Sequence, residues 1–76
     1  MVTAHRLPGT LALVSVPTMV WDAHIVGLSS AVARAQPGMM FLVVANARND
    51  TMVVEPGGVV GWIDALYLTV VQEAPR

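Results

Sequence analysis

Short apolar segments alternate with breaks that contain glycine or proline along this chain. The segments are about 4 to 8 residues long, which suits β-strands and is too short for most helices. Across residues 18–25, successive side chains alternate between two faces with a period of two, as a half-buried strand requires. The pattern therefore predicts an all-β domain.

The pattern also predicts where the strands lie. They are expected at residues 10–16, 18–25, 39–47, 51–55, 59–63 and 69–71. Residues 31–36 fit either a short strand or a helical turn, because alanine favours neither strand nor loop. Residues 39–47 are apolar on both faces through Ala45, so we expect this strand to be central. Met19 and Trp21 share the face of the second strand that we expect to lie in the core or against another subunit.

Polar turns separate the later strands. Residues 48–50, Arg-Asn-Asp, predict a hairpin turn because Asn and Asp tolerate the left-handed conformation. Residues 55–58, Glu-Pro-Gly-Gly, fit a type II turn with a positive φ at Gly57. Asp64 is available to cap a helical turn at residues 64–68.

One domain over residues 1–76 accounts for these elements. We expect a small barrel of five or six short strands, with a 3-10 turn before the last strand, because closure removes exposed sheet edges. Residues 1–8 and 72–76 are expected to be extended tails.

Composition narrows the possible functions. The 76 residues are 55% hydrophobic and only 12% charged, with a net charge of −1, so nucleic acid is not an expected partner. The absence of cysteine excludes disulfides and thiolate chemistry. So much apolar material leaves apolar patches on the surface, which usually mark contact with a partner. We expect a homo-oligomer or a subunit of a larger assembly, with a monomer as the alternative.

No membrane span is expected, because the longest apolar run, residues 39–45, is far shorter than the roughly 20 residues that a transmembrane helix needs. Pro8, Gly9 and Pro17 interrupt the one stretch that is similar to a signal peptide. We therefore expect a cytoplasmic or virion-associated protein rather than a secreted one.

Residues 58–68, Gly-Val-Val-Gly-Trp-Ile-Asp-Ala-Leu-Tyr-Leu, combine a glycine-tipped hairpin, a Gly-Trp-aliphatic step and a turn that ends in Tyr-Leu. Together with the hydrophobic segment 37–44 and the turn and strand at 48–54, they resemble the SH3-like barrel, closest to bacterial SH3 domains. The resemblance covers the C-terminal half only. From the residues themselves, Gly61 allows close backbone approach, and Leu66 and Leu68 are expected to plug one end of the barrel.

The chain departs from the SH3 pattern where ligands bind. Asp64 replaces the usual proline after Gly-Trp-Ile, and of the aromatic groove only Tyr67 remains. We therefore expect no binding of Pro-rich peptides. The segment 26–31 is also shorter and less polar than the loop that bacterial cell-wall binders of this fold often carry.

No constellation of residues predicts catalysis, a cofactor or a metal. Asp22 and His24 lie two apart on a strand, which suits acid–base chemistry but more often marks a solvated polar face. The spacing of His5, Asp22 and His24 matches no recurring zinc pattern. No helix follows Gly57, Gly58 and Gly61, as a phosphate site would require.

Five side chains are candidates for partner binding: Trp21, Met39, Met52, Trp62 and Tyr67. For Met39, Met40 and Met52, core filling is the more common role, and a pliable contact surface is the alternative. Arg34 and Arg48 are either polar interface contacts or solvated charges. The expected function is that of a non-catalytic interaction or structural subunit, such as a capsid-decorating or tail protein of a bacteriophage virion. The alternatives are a bacterial SH3-type cell-wall or carbohydrate-binding module, and an enzyme whose oligomer builds a shared polar pore.

Overall fold

The computed structural model describes residues 7–23 and 29–75, and these residues form an all-β fold. The strands are β1 (Leu11–Val14), β2 (Thr18–Trp21), β3 (Ala31–Ala35), β4 (Met40–Ala47), β5 (Asp50–Val54), β6 (Val60–Asp64) and β7 (Leu68–Gln72). A 3-10 turn, Ala65–Tyr67, precedes β7, which confirms that prediction. The described chain has seven strands rather than five or six, because β3 pairs with β2 instead of forming a helical turn.

All seven strands belong to one antiparallel sheet, in the order β3-β2-β6-β5-β4-β1-β7. As its apolar sequence predicts, β4 is an interior strand, although β5 occupies the middle of the order. Strand pairing within the described residues stops at β3 on one side and at β7 on the other, so hydrogen bonding does not close the sheet.

One face of the sheet curls around the hydrophobic core, which we call the inner face. The buried side chains of the core are Ala12, Val14, Val20, Ala35, Phe41, Val43, Val53, Ile63 and Leu68. Every strand supplies at least one of them, because alternate residues of a strand point to the same side of the sheet.

The face of β2 that carries Trp21, expected either in the core or against another subunit, does not lie in the core. Val20 is fully buried, whereas Trp21 is 39% exposed. The reason lies in β6, where Gly61 has no Cβ atom and Val20 fills the space that this atom would need. An indole is too large for that space. The close approach predicted for Gly61 is thereby confirmed.

Both predicted hairpin turns exist but use a different residue for the left-handed conformation. The positive φ of the first turn belongs to Arg48 (54°). That of the second belongs to Gly58 (97°) rather than Gly57. The Gly58 N–H donates to the Glu55 carbonyl at 2.8 Å, and the Glu55 N–H donates to the Val59 carbonyl at 2.8 Å. The second loop is therefore a three-residue hairpin with glycine at its bulge position, not a type II turn.

The 3-10 turn begins as predicted but packs differently. A carboxylate oxygen of Asp64 accepts the Leu66 N–H at 3.0 Å, which confirms the cap. Leu68 is buried, but Leu66 is 75% exposed and plugs nothing. Residues three apart share one side of a 3-10 turn, so Ala65 and Leu68 face the core and Leu66 points away.

The C-terminal residues are more ordered than a tail from residue 72 implies. Gln72 ends β7, and Ala74 is buried with its N–H donating to the Thr10 hydroxyl oxygen at 3.3 Å. This contact anchors the chain after β7 beside the start of β1. Residues 1–6 of the predicted N-terminal tail lie outside the described residues. No helix in the described part of the chain has the length and apolar character needed to cross a bilayer.

Candidate functional site

Both tryptophans of the chain lie on the face of the sheet that points away from the core. Trp21 in β2 is directly opposite Trp62 in β6, and Trp62 is opposite Met52 in β5. Residues opposite each other on neighbouring strands project to the same side of a sheet. These three side chains therefore form a continuous row across three strands.

A second apolar row lies beside the first and crosses four strands. Val60 is opposite Val54, Val54 is opposite Leu42, and Leu42 is opposite Leu11. Met40 and Leu13, two residues further along β4 and β1, form a third pair on the same side. We call this surface the outer face; it consists of Leu11, Leu13, Trp21, Met40, Leu42, Met52, Val54, Val60 and Trp62.

The outer face is accessible to solvent. Val60 is 50% exposed, Met40 40%, and Leu42 and Trp21 39% each, while the other five side chains are half-buried. An antiparallel sheet with one solvated face normally carries polar residues there, and strands that are apolar on both faces are typical of sheets covered on both sides. The sequence of this sheet is typical of one covered on both faces, yet within residues 7–23 and 29–75 the chain covers only the inner face.

Charged side chains occur at the border of the outer face. Asp50 lies opposite Asp64 at the end of β5 and β6, two residues beyond Met52 and Trp62. Arg34 lies opposite Met19 at the β3 side. Among residues 7–23 and 29–75, no three His, Asp or Glu side chains cluster as metal ligands would.

The two edge strands each carry a β-bulge. Val71 is an extra residue in β7 between the partners of Leu11 and Ala12, and Val32 is an extra residue in β3 between the partners of Val20 and Trp21. Bulges twist an edge and interrupt its hydrogen-bonding pattern, which makes it a poor template for adding another strand. The geometry therefore favours contact through the outer face over contact through an edge.

The five predicted partner-binding residues do not lie together. Trp21, Met52 and Trp62 share the first row of the outer face. Met39 instead packs against the core, and its sulfur accepts the Gln36 N–H at 3.3 Å. Tyr67 is partly exposed in the 3-10 turn, outside the outer face.

Most of the outer face was not predicted from the sequence. Leu11, Leu13, Leu42, Val54 and Val60 were not among the candidates, although the signal was present in residues 39–45, which are apolar on both faces. That signal predicted burial in the middle of a sheet. It did not show that only one of the two faces would be covered.

Of the candidate acid–base pair Asp22 and His24, only Asp22 lies within the described residues. His24 lies outside the described residues, as does His5 of the possible metal set. Asp22 has a structural role: its carboxylate accepts the Ser30 N–H at 2.8 Å, and its own N–H donates to the Ser30 carbonyl at 3.0 Å. These two bonds join the ends of the segment between β2 and β3.

No protein-family model, curated protein or solved structure is significantly similar to this chain. The functional argument therefore depends on the outer face itself.

Proposed function

We propose that this chain is a non-catalytic protein–protein interaction domain, a structural subunit that covers its outer face with another protein surface. The observation that supports the proposal is the register of the sheet, which aligns nine apolar side chains on the side opposite the core. Isolated exposed apolar residues are ordinary on soluble proteins, whereas a contiguous patch marks an interaction site.

The size of the outer face is sufficient for binding. Four of its side chains are 39–50% exposed and the other five are half-buried, which corresponds to an exposed area of roughly 500 Å², within the range of about 300–600 Å² for the largest patch of a typical monomer. At about 25 cal/mol per Å², covering that area on one partner contributes roughly 12 kcal/mol before costs. Association itself costs about 4–15 kcal/mol. The two figures overlap, so the affinity depends on how closely the partner's surface fits the patch and not on area alone.

We also propose that the fold is an SH3-like barrel that is open between β3 and β7. Gly61 and Trp62 in β6, followed by the Asp64-capped turn before β7, support this assignment. Within this class, the narrower proposal is a cytoplasmic or virion-associated subunit, such as a capsid-decorating or tail protein of a bacteriophage, by analogy with small apolar subunits. Mass spectrometry of purified bacteriophage particles tests this narrower proposal, since a virion subunit must be detected in them.

A carbohydrate-binding module is the second candidate. It is favoured by one observation, the direct cross-strand pairing of Trp21 and Trp62, since adjacent indoles offer a broad apolar surface with polar edges to a sugar ring. Titration with soluble peptidoglycan fragments tests it. Saturable quenching of tryptophan fluorescence at micromolar to millimolar sugar supports this candidate, and an unchanged spectrum opposes it.

The amphiphilic dye 1-anilinonaphthalene-8-sulfonate tests the main proposal, because its aromatic rings bind exposed apolar surface and fluoresce there. Dilute wild-type protein is expected to bind the dye. Leu42→Lys places a charge in the second row and is expected to abolish most of this binding. Leu66→Lys makes the same change at a more exposed residue away from the outer face and serves as the matched control. Equal dye binding by Leu42→Lys and wild type contradicts the proposal.

A further inference from the structure

We infer that the occupant of the outer face is a second copy of this chain, so that two sheets pack face to face about a twofold axis. The inference rests on the proposed function and specifies its partner. A twofold interface brings the same surface patch of two copies together, so that patch must be complementary to itself.

The charge distribution makes the outer face self-complementary. The charged side chains on this side of the sheet stand at its border, with Asp50 and Asp64 beyond the first row at one corner and Arg34 at the β3 side. A partner that binds through charge would need a charged side chain within the outer face, and the outer face has none. An uncharged apolar surface is matched by a copy of itself, while corner carboxylates away from the axis remain hydrated at the rim.

The area of the outer face agrees with a dimer. Two copies that each cover roughly 500 Å² remove about 1,000 Å² in total, the lower limit for a specific interface. An interface of this size is expected to give a dissociation constant in the micromolar range. The subunits therefore exchange, and the monomer is accessible by dilution.

The bulged edges determine how the copies meet. Strand addition between β3 or β7 of two copies would have to pair across Val32 or Val71, each of which interrupts the edge. Pairing of β3 with β7 of the next copy would also extend without limit, whereas face-to-face packing about a twofold axis closes at two copies.

The chain contains its own reporter for the test. It has two tryptophans, and both lie on the outer face. Sedimentation equilibrium and tryptophan emission are to be measured from about 1 to about 500 µM protein, because dimerisation depends on concentration. The mass is expected to rise from 8.1 kDa toward twice that value, with a blue shift of the emission over the same concentrations. Sulfate is expected to strengthen the dimer, since it favours apolar burial.

Two variants locate the interface. Leu42→Lys is expected to raise the dissociation constant at least about tenfold, since a buried charge opposes association. Leu66→Lys is expected to leave it unchanged. Near-UV circular dichroism establishes that both variants fold, and Val60→Lys repeats the test from a neighbouring strand.

Three results overturn the inference: a monomer throughout the range, a dimer that Leu42→Lys and Val60→Lys do not weaken, or an open series of larger species. The dye experiment then separates the two proposals. A monomer whose dye binding depends on Leu42 leaves the outer face as the site of a different protein. A monomer that binds no dye contradicts the interaction domain as well.

Discussion

Gly61 lies directly against Val20: a Cβ atom at residue 61 would stand 2.5 Å from the Cγ1 atom of Val20 and 2.6 Å from the Trp21 carbonyl oxygen. The backbone of Gly61 does not have a positive φ, so its requirement for glycine comes from space alone. This contact sets which face of β2 is buried, and thereby places Trp21 on the outer face.

Gly61→Ala is expected to destabilise the fold by about 2–3 kcal/mol, the upper part of the range for overpacking, because one of the two obstructing atoms belongs to the backbone and cannot rotate away. For a domain of this size, that corresponds to a fall in the melting temperature of roughly 8–24 °C. Thermal unfolding followed by circular dichroism measures it. A melting temperature within a degree or two of wild type would show that β2 and β6 are not in this contact.

Gly57 and Gly58 provide a test of the hairpin turn. Gly58 has a φ of 97° and no neighbouring atom within 4 Å of an added Cβ, so Gly58→Ala is expected to cost about 1 kcal/mol through backbone strain alone. Gly57→Ala meets only the flexible carboxylate of Glu55 and is expected to cost a few tenths of a kcal/mol. Urea unfolding of the two variants gives the comparison. If the loop were the type II turn expected from the sequence, Gly57 would hold the positive φ, and Gly57→Ala would be the more destabilising of the two variants.

The sequence predicted the strands better than their faces. Glycine and proline breaks, together with apolar segments, located β1, β4, β5 and β6 to within a few residues, because turn chemistry and strand length are local properties. The choice between the two faces of β2 is not local. Val20 and Trp21 are both apolar, and the space beside Gly61 in another strand decides which of them is buried.

The outer face could not be predicted from the sequence, for a related reason. Leu42, Val54 and Val60 belong to three strands, and only the register of the sheet shows that they are neighbours. Composition correctly indicated excess apolar material but gave no positions for it. Tryptophan and methionine were singled out by residue type, which found Trp21, Met52 and Trp62 and also selected Met39, a residue that packs against the core.

Asp64 combines a favourable cap with an unfavourable neighbour. Its carboxylate accepts the Leu66 N–H, yet it stands opposite Asp50, and like charges in opposite positions destabilise a sheet. Asp64→Ala removes the cap and is expected to cost about 1 kcal/mol. Asp64→Asn keeps an acceptor oxygen and removes the repulsion, so its stability is expected to equal or exceed that of wild type. Urea unfolding distinguishes them; equal losses in both variants would show that the charge, not the cap, is what matters.

Phe41 and Leu42 are neighbours in β4 that project to opposite faces of the sheet. Phe41 is fully buried in the core, whereas Leu42 is exposed on the outer face. Phe41→Ala is expected to cost about 3–5 kcal/mol, since it opens a cavity in a small core. The whole domain is stable by only about 4–11 kcal/mol, so this variant is close to unfolding at 37 °C. Leu42→Ala in dilute monomer is expected to cost less than about 1 kcal/mol, because its side chain remains partly hydrated.

The comparison of these two variants separates folding from association. Phe41→Ala should lower the free energy of unfolding at every protein concentration, because the core belongs to one chain. Leu42→Ala should have little effect at low micromolar concentration and a larger one where the dimer forms, since ligation by a second copy stabilises only the folded chain. Urea unfolding at about 2 and about 200 µM measures both. A loss for Leu42→Ala that does not depend on concentration would mean that Leu42 stabilises the monomer itself, and that its surroundings are as well packed as those of Phe41.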